Sequence, residues 1–436
     1  MQTIRKRAGE LWSNHRAATL VGAAALIAIL VAVGYASFKR PGDVNNEDAF
    51  FEPADIEVLD DQDNWPTYGL NDERTRYLPA DLEPPFQVRW RFKGRSLLEY
   101  APILFNGTLY VVNKNGEFFA INALRGKKRF QLKIGELSAA SPTFGEEHIV
   151  VSTLEPGNVT AVDKFGKVQW TRDLPGRTES SPVVADGKVI VGCECGTLFA
   201  FDVNTGRTIW ETDLGGAIKA APAVDKGVAF VGDYGGALSA VNIDDGSIKW
   251  QTGTSGTSFG RTGRIYATAA VAFGRVYVGS LDGRMYSFEE ETGKLAWSKS
   301  TGGYIYAAAV AADTDDTGPT IYFGSYDGTF YALDAEDGSV RWEKDTGGDI
   351  SGAGSLIGET VYVAELQTTR TFGFSVKDGD QVFEFRDGTY NPVISDGKHL
   401  FIAGKEALYA LQPGEPKAPQ ADSGGKDADK KGKKGG

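Results

Sequence analysis

The chain has 436 residues, 41% of them hydrophobic and 24% charged, with a formal net charge of −12 at pH 7. That length allows several ordinary domains or one large repeat architecture, and the apolar content excludes a chain too polar to fold. Residues 1–40 and 413–436 are each net basic, so the body between them is more acidic than the total, a field that repels phosphate backbones and excludes nucleic acid as a partner.

In chain order, residues 1–16 carry Arg5, Lys6, Arg7 and Arg16 against the single acid Glu10. Residues 17–38, AATLVGAAALIAILVAVGYASF, hold no charge. As a helix rising about 1.5 Å per residue they would span roughly 33 Å, enough to cross a bilayer core. The basic flank predicts a cytoplasmic N-terminus with the rest of the chain facing outward. The apolar run exceeds the roughly 7–15 residues of a cleaved signal, and YAS is a poor cleavage site, so an uncleaved signal anchor is expected. Residues 39–64 are acidic and without period, which predicts a solvated linker. Residues 413–436 are lysine-rich and of low complexity, which predicts a disordered tail.

Between these ends, residues 65–412 repeat. The stretches VTAVDKFGKVQW (159–170), LFAFDVNTGRTIW (198–210) and LSAVNIDDGSIKW (238–250) end on tryptophan at an interval of 40 residues. Extending the alignment gives Trp90, Phe130, Trp170, Trp210 and Trp250, then Trp297, Trp342 and Phe383 or Phe385. Each unit holds alternating stretches such as KVIVG and RVYVGS, cut by glycine turns, and none shows a long helical face. The unit is therefore a four-stranded antiparallel sheet. Glycines such as Gly126, Gly166, Gly206 and Gly246 recur where a β-carbon would strain the hairpin. The last unit, 391–411, has three strands, and VRWRF (88–92) supplies its fourth. Eight units closed in this way predict an all-β, eight-bladed β-propeller, with Trp90, Trp170, Trp210, Trp250, Trp297 and Trp342 as docking rings between blades.

The pattern A-x-[DN]-x-x-x-G-x-x-x-[WF] stands as AINALRGKKRF (120–130), AFDVNTGRTIW (200–210), AVNIDDGSIKW (240–250) and ALDAEDGSVRW (332–342), with a shorter AVDKFGKVQW at 161–170. It resembles the tryptophan-docking repeat of the PQQ-repeat β-propellers, and NWPTYGLNDERTRYLP (64–79) resembles the lead-in that precedes such rings. The resemblance implies one of two functions. One is a quinoprotein dehydrogenase holding pyrroloquinoline quinone and Ca²⁺; the other is a non-catalytic scaffold of the BamB type, used in outer-membrane protein assembly.

The residues weigh against the first. Six of the eight tryptophans belong to docking strands, Trp12 precedes the anchor and Trp65 lies in the lead-in, so none is left to stack on a planar cofactor. Cys193 and Cys195 are separated by Glu194, whereas the resemblance implies adjacent cysteines; their spacing is strained for a disulfide, and they read as a local pair without catalytic duty. His15, His148 and His399 are too few for a histidine triad or zinc site. DTDDTG (313–318) matches only half of a calcium loop and reads as a long hairpin. No catalytic residue, cofactor or metal is therefore expected.

What remains is the ring of strand starts around one channel mouth. Glu99 and Tyr100 stand there in the first unit, Glu179 in the third and Lys219 in the fourth. The insertion at 254–267 adds Arg261, Arg264 and Tyr266; Tyr304 and Tyr306 open the sixth unit, and Tyr390 precedes the last. Tyrosines with a few charges suit an extended peptide or a small polar ligand, and equally suit the lining of a watery channel. The expected function is a membrane-anchored, extracytoplasmic scaffold that binds another envelope protein. A quinone-dependent dehydrogenase and a ligand-sensing receptor are the alternatives.

Overall fold

A computed structural model describes residues 42–56, 63–255, 263–388, 390 and 393–415. The N-terminal residues, the anchor expected at 17–38, Arg261 and the tail from 416 lie outside the described residues. Among the described residues no helix is long and apolar enough to cross a membrane.

Eight sheets form the propeller, each built on four antiparallel strands. Blades 1 to 7 open on the inner strands Ile103–Phe105, Thr143–Gly145, Val183–Ala185, Ala223–Asp225, Ala270–Ala272, Val310–Thr314 and Ser355–Ile357. Blade 8 takes Ile394–Ser395, Leu400–Ala403 and Ala407–Pro413 from the end of the chain and Phe86–Lys93 from its beginning. Trp90 pairs with Ala410 in that closing ladder, so the ring is fastened where the sequence predicts.

Middle strands are buried on both faces, as in Lys188–Gly192 and Thr197–Asp202, because each sheet is covered by a neighbour on either side. The tryptophans fill those seams. Trp170 and Trp210 donate their indole N–H to Val203 O and Ile243 O of the next blade, both at 2.8 Å. Trp90, Trp250, Trp297 and Trp342 do the same to Ala123, Glu290, Ala335 and Val376. The repeated glycine is the seat of the ring. A β-carbon on Gly206 would come within 2.6 Å of the Trp170 indole, and one on Gly126 equally close to Trp90. Phe130 replaces the indole at the seam of blades 1 and 2, against a turn one residue shorter, and packs on Gly166. A cavity of about 610 Å³ lies at that seam, lined in part by Phe105, Phe130, Phe144 and the exposed Phe165.

Two segments lie differently from their sequence reading. Residues 42–56, read as part of a solvated linker, are strapped to blade 5. Val44–Asn45 extends its sheet beside Leu295–Ser300, and Phe51 packs against Phe273. Arg275 donates to Phe50 O at 2.6 Å, to Ala49 O at 3.0 Å and to Glu336 O of blade 6 at 2.7 Å, so basic residues on the blades hold the acidic strap. Cys193 and Cys195 are joined as a disulfide; the turn between their strands sets the Cα atoms 5.0 Å apart, within bonding reach despite the short spacing.

Candidate functional site

The lead-in segment closes the channel from within. Trp65 exchanges backbone hydrogen bonds with Leu104 of blade 1, and Pro66 O accepts from Phe144 of blade 2. Asp72 O, Glu73 O, Thr75 O and Arg76 O then accept from Val224, Val271, Ala311 and Leu356 on blades 4 to 7, each at 2.8 to 3.0 Å. Tyr77–Leu78 ends the crossing as a parallel strand on the inner edge of blade 7. Arg74, fully buried, ties in blade 3: its Nη2 donates to Pro182 O of that blade at 3.3 Å and its Nε to Pro222 O of blade 4 at 3.0 Å. Burial pushes its guanidinium down to about 10 and also lowers that of Arg76. The Arg76 guanidinium lies 4.6 Å over the ring of Tyr68.

The other end of the channel is a blind cavity of about 260 Å³. Glu99, Tyr100, Glu179, Lys219, Tyr266, Tyr306 and Tyr390, all expected at the mouth, line it. They converge because the repeat places them alike: Glu99, Glu179, Lys219, Tyr266 and Tyr306 each stand four residues before the inner strand of their blade. Arg264 and Tyr304 stand two residues earlier and sit at the rim, with Tyr304 54% exposed and the Arg264 guanidinium 5.6 Å over the ring of Tyr234. The sequence reading missed Tyr68, Tyr234 and Tyr326. Tyr68 comes from the lead-in; Tyr234 and Tyr326 occupy one hairpin-turn position, where blade 3 has Glu194. Their amides donate to Ala217 O and Tyr304 O as that of Glu194 does to Arg177 O. A turn position repeated between blades was the signal that could have found them.

A hydrogen-bonded line runs through the cavity wall. Tyr266 donates to Glu179 at 2.8 Å, so its oxygen accepts from the Tyr100 hydroxyl at 3.1 Å. Lys219 holds Glu179 at 2.6 Å and Glu194 at 2.9 Å. Burial opposes the Lys219 charge, yet the hydrogen bonds to both carboxylates outweigh it and raise the pKa. Burial raises the Tyr266 and Tyr100 hydroxyls far above the ordinary phenol range, so both phenols stay protonated at physiological pH. Burial raises the Glu99 carboxyl against the opposing charge of Lys114, with a smaller push from Glu179, and the group makes no hydrogen bond or salt bridge among the described residues.

A family model described as outer membrane protein assembly factor BamB matches residues 87–194, 155–383 and 307–429. The chain belongs to this family of PQQ-repeat propellers. Among curated relatives it is 32% identical over 108 residues to outer membrane protein assembly factor BamB of Burkholderia pseudomallei, covering 24% of this chain and 28% of that one. It is 31% identical over 128 residues to quinoprotein glucose dehydrogenase of Escherichia coli, covering 25% of this chain and 16% of that one. The matches thus span less than a third of either relative. Among solved structures, quinohemoprotein alcohol dehydrogenase of Pseudomonas putida HK5 aligns with a TM-score of 0.71 at 14% identity, covering 86% of this chain and 85% of that one, a likeness of fold.

The channel residues do not fit a planar quinone with a calcium ion. The docking tryptophans face the seams between blades, and Trp65 is fixed against Leu104. The buried guanidiniums of Arg74 and Arg76 beneath the cavity offer a calcium ion no oxygen ligand, and Glu179 is already engaged by Lys219 and Tyr266. His148 and His399 lie on different blades, and His399 is paired with Asp396 at 3.0 Å. DTDDTG is a hairpin in which Asp313 faces Pro319 across the ladder.

Proposed function

We propose that this propeller acts by binding, as a non-catalytic scaffold for another envelope protein in outer-membrane protein assembly, held at the outer face of a membrane by residues 17–38. Family membership supports the scaffold, and the blind cavity carries the choice of binding over redox chemistry. Its walls are tyrosines and paired charges, and the indoles that could clasp a quinone are spent on blade docking. A folded ring with an open tyrosine mouth presents a rigid recognition surface at small cost in conformational entropy.

Photocrosslinkers placed at Tyr304 and Arg264 in intact cells test this reading. One stoichiometric envelope protein captured from these rim positions, and not from Lys249 on the outer strand of blade 4, is the expected result. Alcohol or sugar oxidation by purified protein supplied with the quinone and Ca²⁺ would overturn it.

A further inference from the structure

The mouth is asymmetric in charge and in hydrogen bonding. Among the described residues Lys219 is the one cation lining the cavity, and two carboxylates hold it at 2.6 and 2.9 Å, so it has no charge to spare for a ligand. Glu99 lines the same cavity, half-buried, with no hydrogen-bond or salt-bridge partner among the described residues. Aromatic rings lining the same cavity pack in two runs. Tyr68 lies 6.2 Å from Tyr100, Tyr266 lies 5.4 Å from Tyr306, and Tyr306 lies 4.8 Å from Tyr326. The hydroxyls of Tyr306, Tyr326 and Tyr390 make no hydrogen bond among the described residues. Electron-rich ring faces, phenol oxygens and a carboxylate that no hydrogen bond or salt bridge holds, with only the more distant charge of Lys114 beside it, attract a cation. A hard metal ion would want six or more oxygen ligands, and among the described residues of the cavity only Glu99 has a carboxylate outside a hydrogen bond or salt bridge. A monovalent cation with an apolar skirt matches both the rings and the acid.

We propose that the channel mouth is an aromatic cage for an organic ammonium group, with Glu99 as its counter-ion and Tyr306 and Tyr326 as its walls. The group is either a lysine side chain of a bound protein or a free methylated amine. This deepens the binding function proposed above and rests on it.

Calorimetric titration of the full-length protein tests the cage with three probes: tetramethylammonium chloride, Nα-acetyl-lysine methylamide and the neutral isostere tert-butanol. Saturable binding of at least one cation is expected, weakened about tenfold by Glu99→Gln and by Tyr306→Leu, the order of magnitude of a desolvated cation–π contact. Tighter binding of the lysine probe assigns the cage to a protein partner, and tighter binding of tetramethylammonium assigns it to a free amine. Equal binding of tert-butanol, no saturable binding of either cation, or indifference to Glu99→Gln in a variant of unchanged Tm overturns the proposal. The two readings fail separately. A partner crosslinked from the rim with a silent titration leaves the scaffold and removes the cage, whereas a positive titration with no crosslinked partner does the reverse.

Discussion

The indole N–H of Trp170 donates to Val203 O at 2.8 Å while its ring covers Gly206, where a β-carbon would come within 2.6 Å. One hydrogen bond and one missing methyl group therefore lock blade 2 onto blade 3. Trp170→Ala removes both the ring and the bond and should cost about 3–5 kcal/mol, as large aromatic truncations in cores do. Gly206→Ala should cost about 1–3 kcal/mol by overpacking, with further strain from its φ of +65°. Because the two residues share one contact, the double variant should be more stable than the sum of the singles implies. Urea midpoints at constant m measure this; strict additivity would mean the ring is not seated on the glycine.

The repeat was readable for the reason that makes this lock work. An aromatic ring about every 40–47 residues, most often an indole, and a glycine before it are chemical demands made once per blade, so they stand out in the sequence. The lead-in left no such trace. It meets most blades through a backbone carbonyl, as Asp72 O meets Val224 and Thr75 O meets Ala311, and carbonyls are common to every residue type. The strap at 42–56 was hidden differently. Its acidic composition reads as solvated, and its partners Arg275 and Lys226 are far away in sequence, visible only once the ring is closed. The mouth was half legible: strand starts gave Tyr266 and Tyr306, while the turn position of Tyr234 and Tyr326 read as punctuation.

Arg74 is the keystone of the lead-in. Its guanidinium donates to Pro222 O, Pro182 O, Thr67 Oγ1 and Tyr68 O, reaching two blades and two neighbours in its own segment. Arg74→Met keeps the length and strands these acceptors, at about 1–3 kcal/mol for each left unsatisfied in the interior. A loss of roughly 3 kcal/mol or more is expected, with faster amide hydrogen exchange across residues 69–76. Arg74→Lys should not restore the wild-type Tm, because a single ammonium cannot span the fan that the planar fork covers.

Arg275 should control the strap without opening the ring. Besides donating to Ala49 O and Phe50 O, its guanidinium lies 5.1 Å over the ring of Phe51. Arg275→Ala removes those donors, the cover on Phe51 and one bond to Glu336 O at the edge of blade 6, a seam still held by Trp297 on Ala335 O. Residues 43–55 should then exchange amide hydrogens faster while the blade 3 amides keep their protection. A uniform rise across all blades would show that the strap is part of one cooperative unit with the ring.

A second contact of the strap depends on pH. Lys226 holds Asp55 of the strap at 2.8 Å, with Asp225 and Glu290 each 3.3 Å away. One ammonium cannot offset three carboxylates at these distances, and Glu290 is the most buried of them. Burial and the Asp225 charge push its carboxyl up to about 7, although Lys226 opposes the shift. The fold therefore favours protonated Glu290 more than the unfolded chain does, and folding takes up a proton between the ordinary value of 4.5 and about 7. The stability that this proton supplies is complete below 4.5 and is lost as the pH rises through about 7. Glu290→Gln mimics the protonated form at every pH. Its Tm should match wild type near pH 4.5 and exceed it by a margin that grows up to about pH 7 and then levels off. Trp250 docks on the backbone carbonyl of Glu290 at 2.9 Å, so the substitution leaves the blade seam intact. A gap that stays constant with pH, or one that favours wild type at pH 8, would refute the assignment of this proton to Glu290.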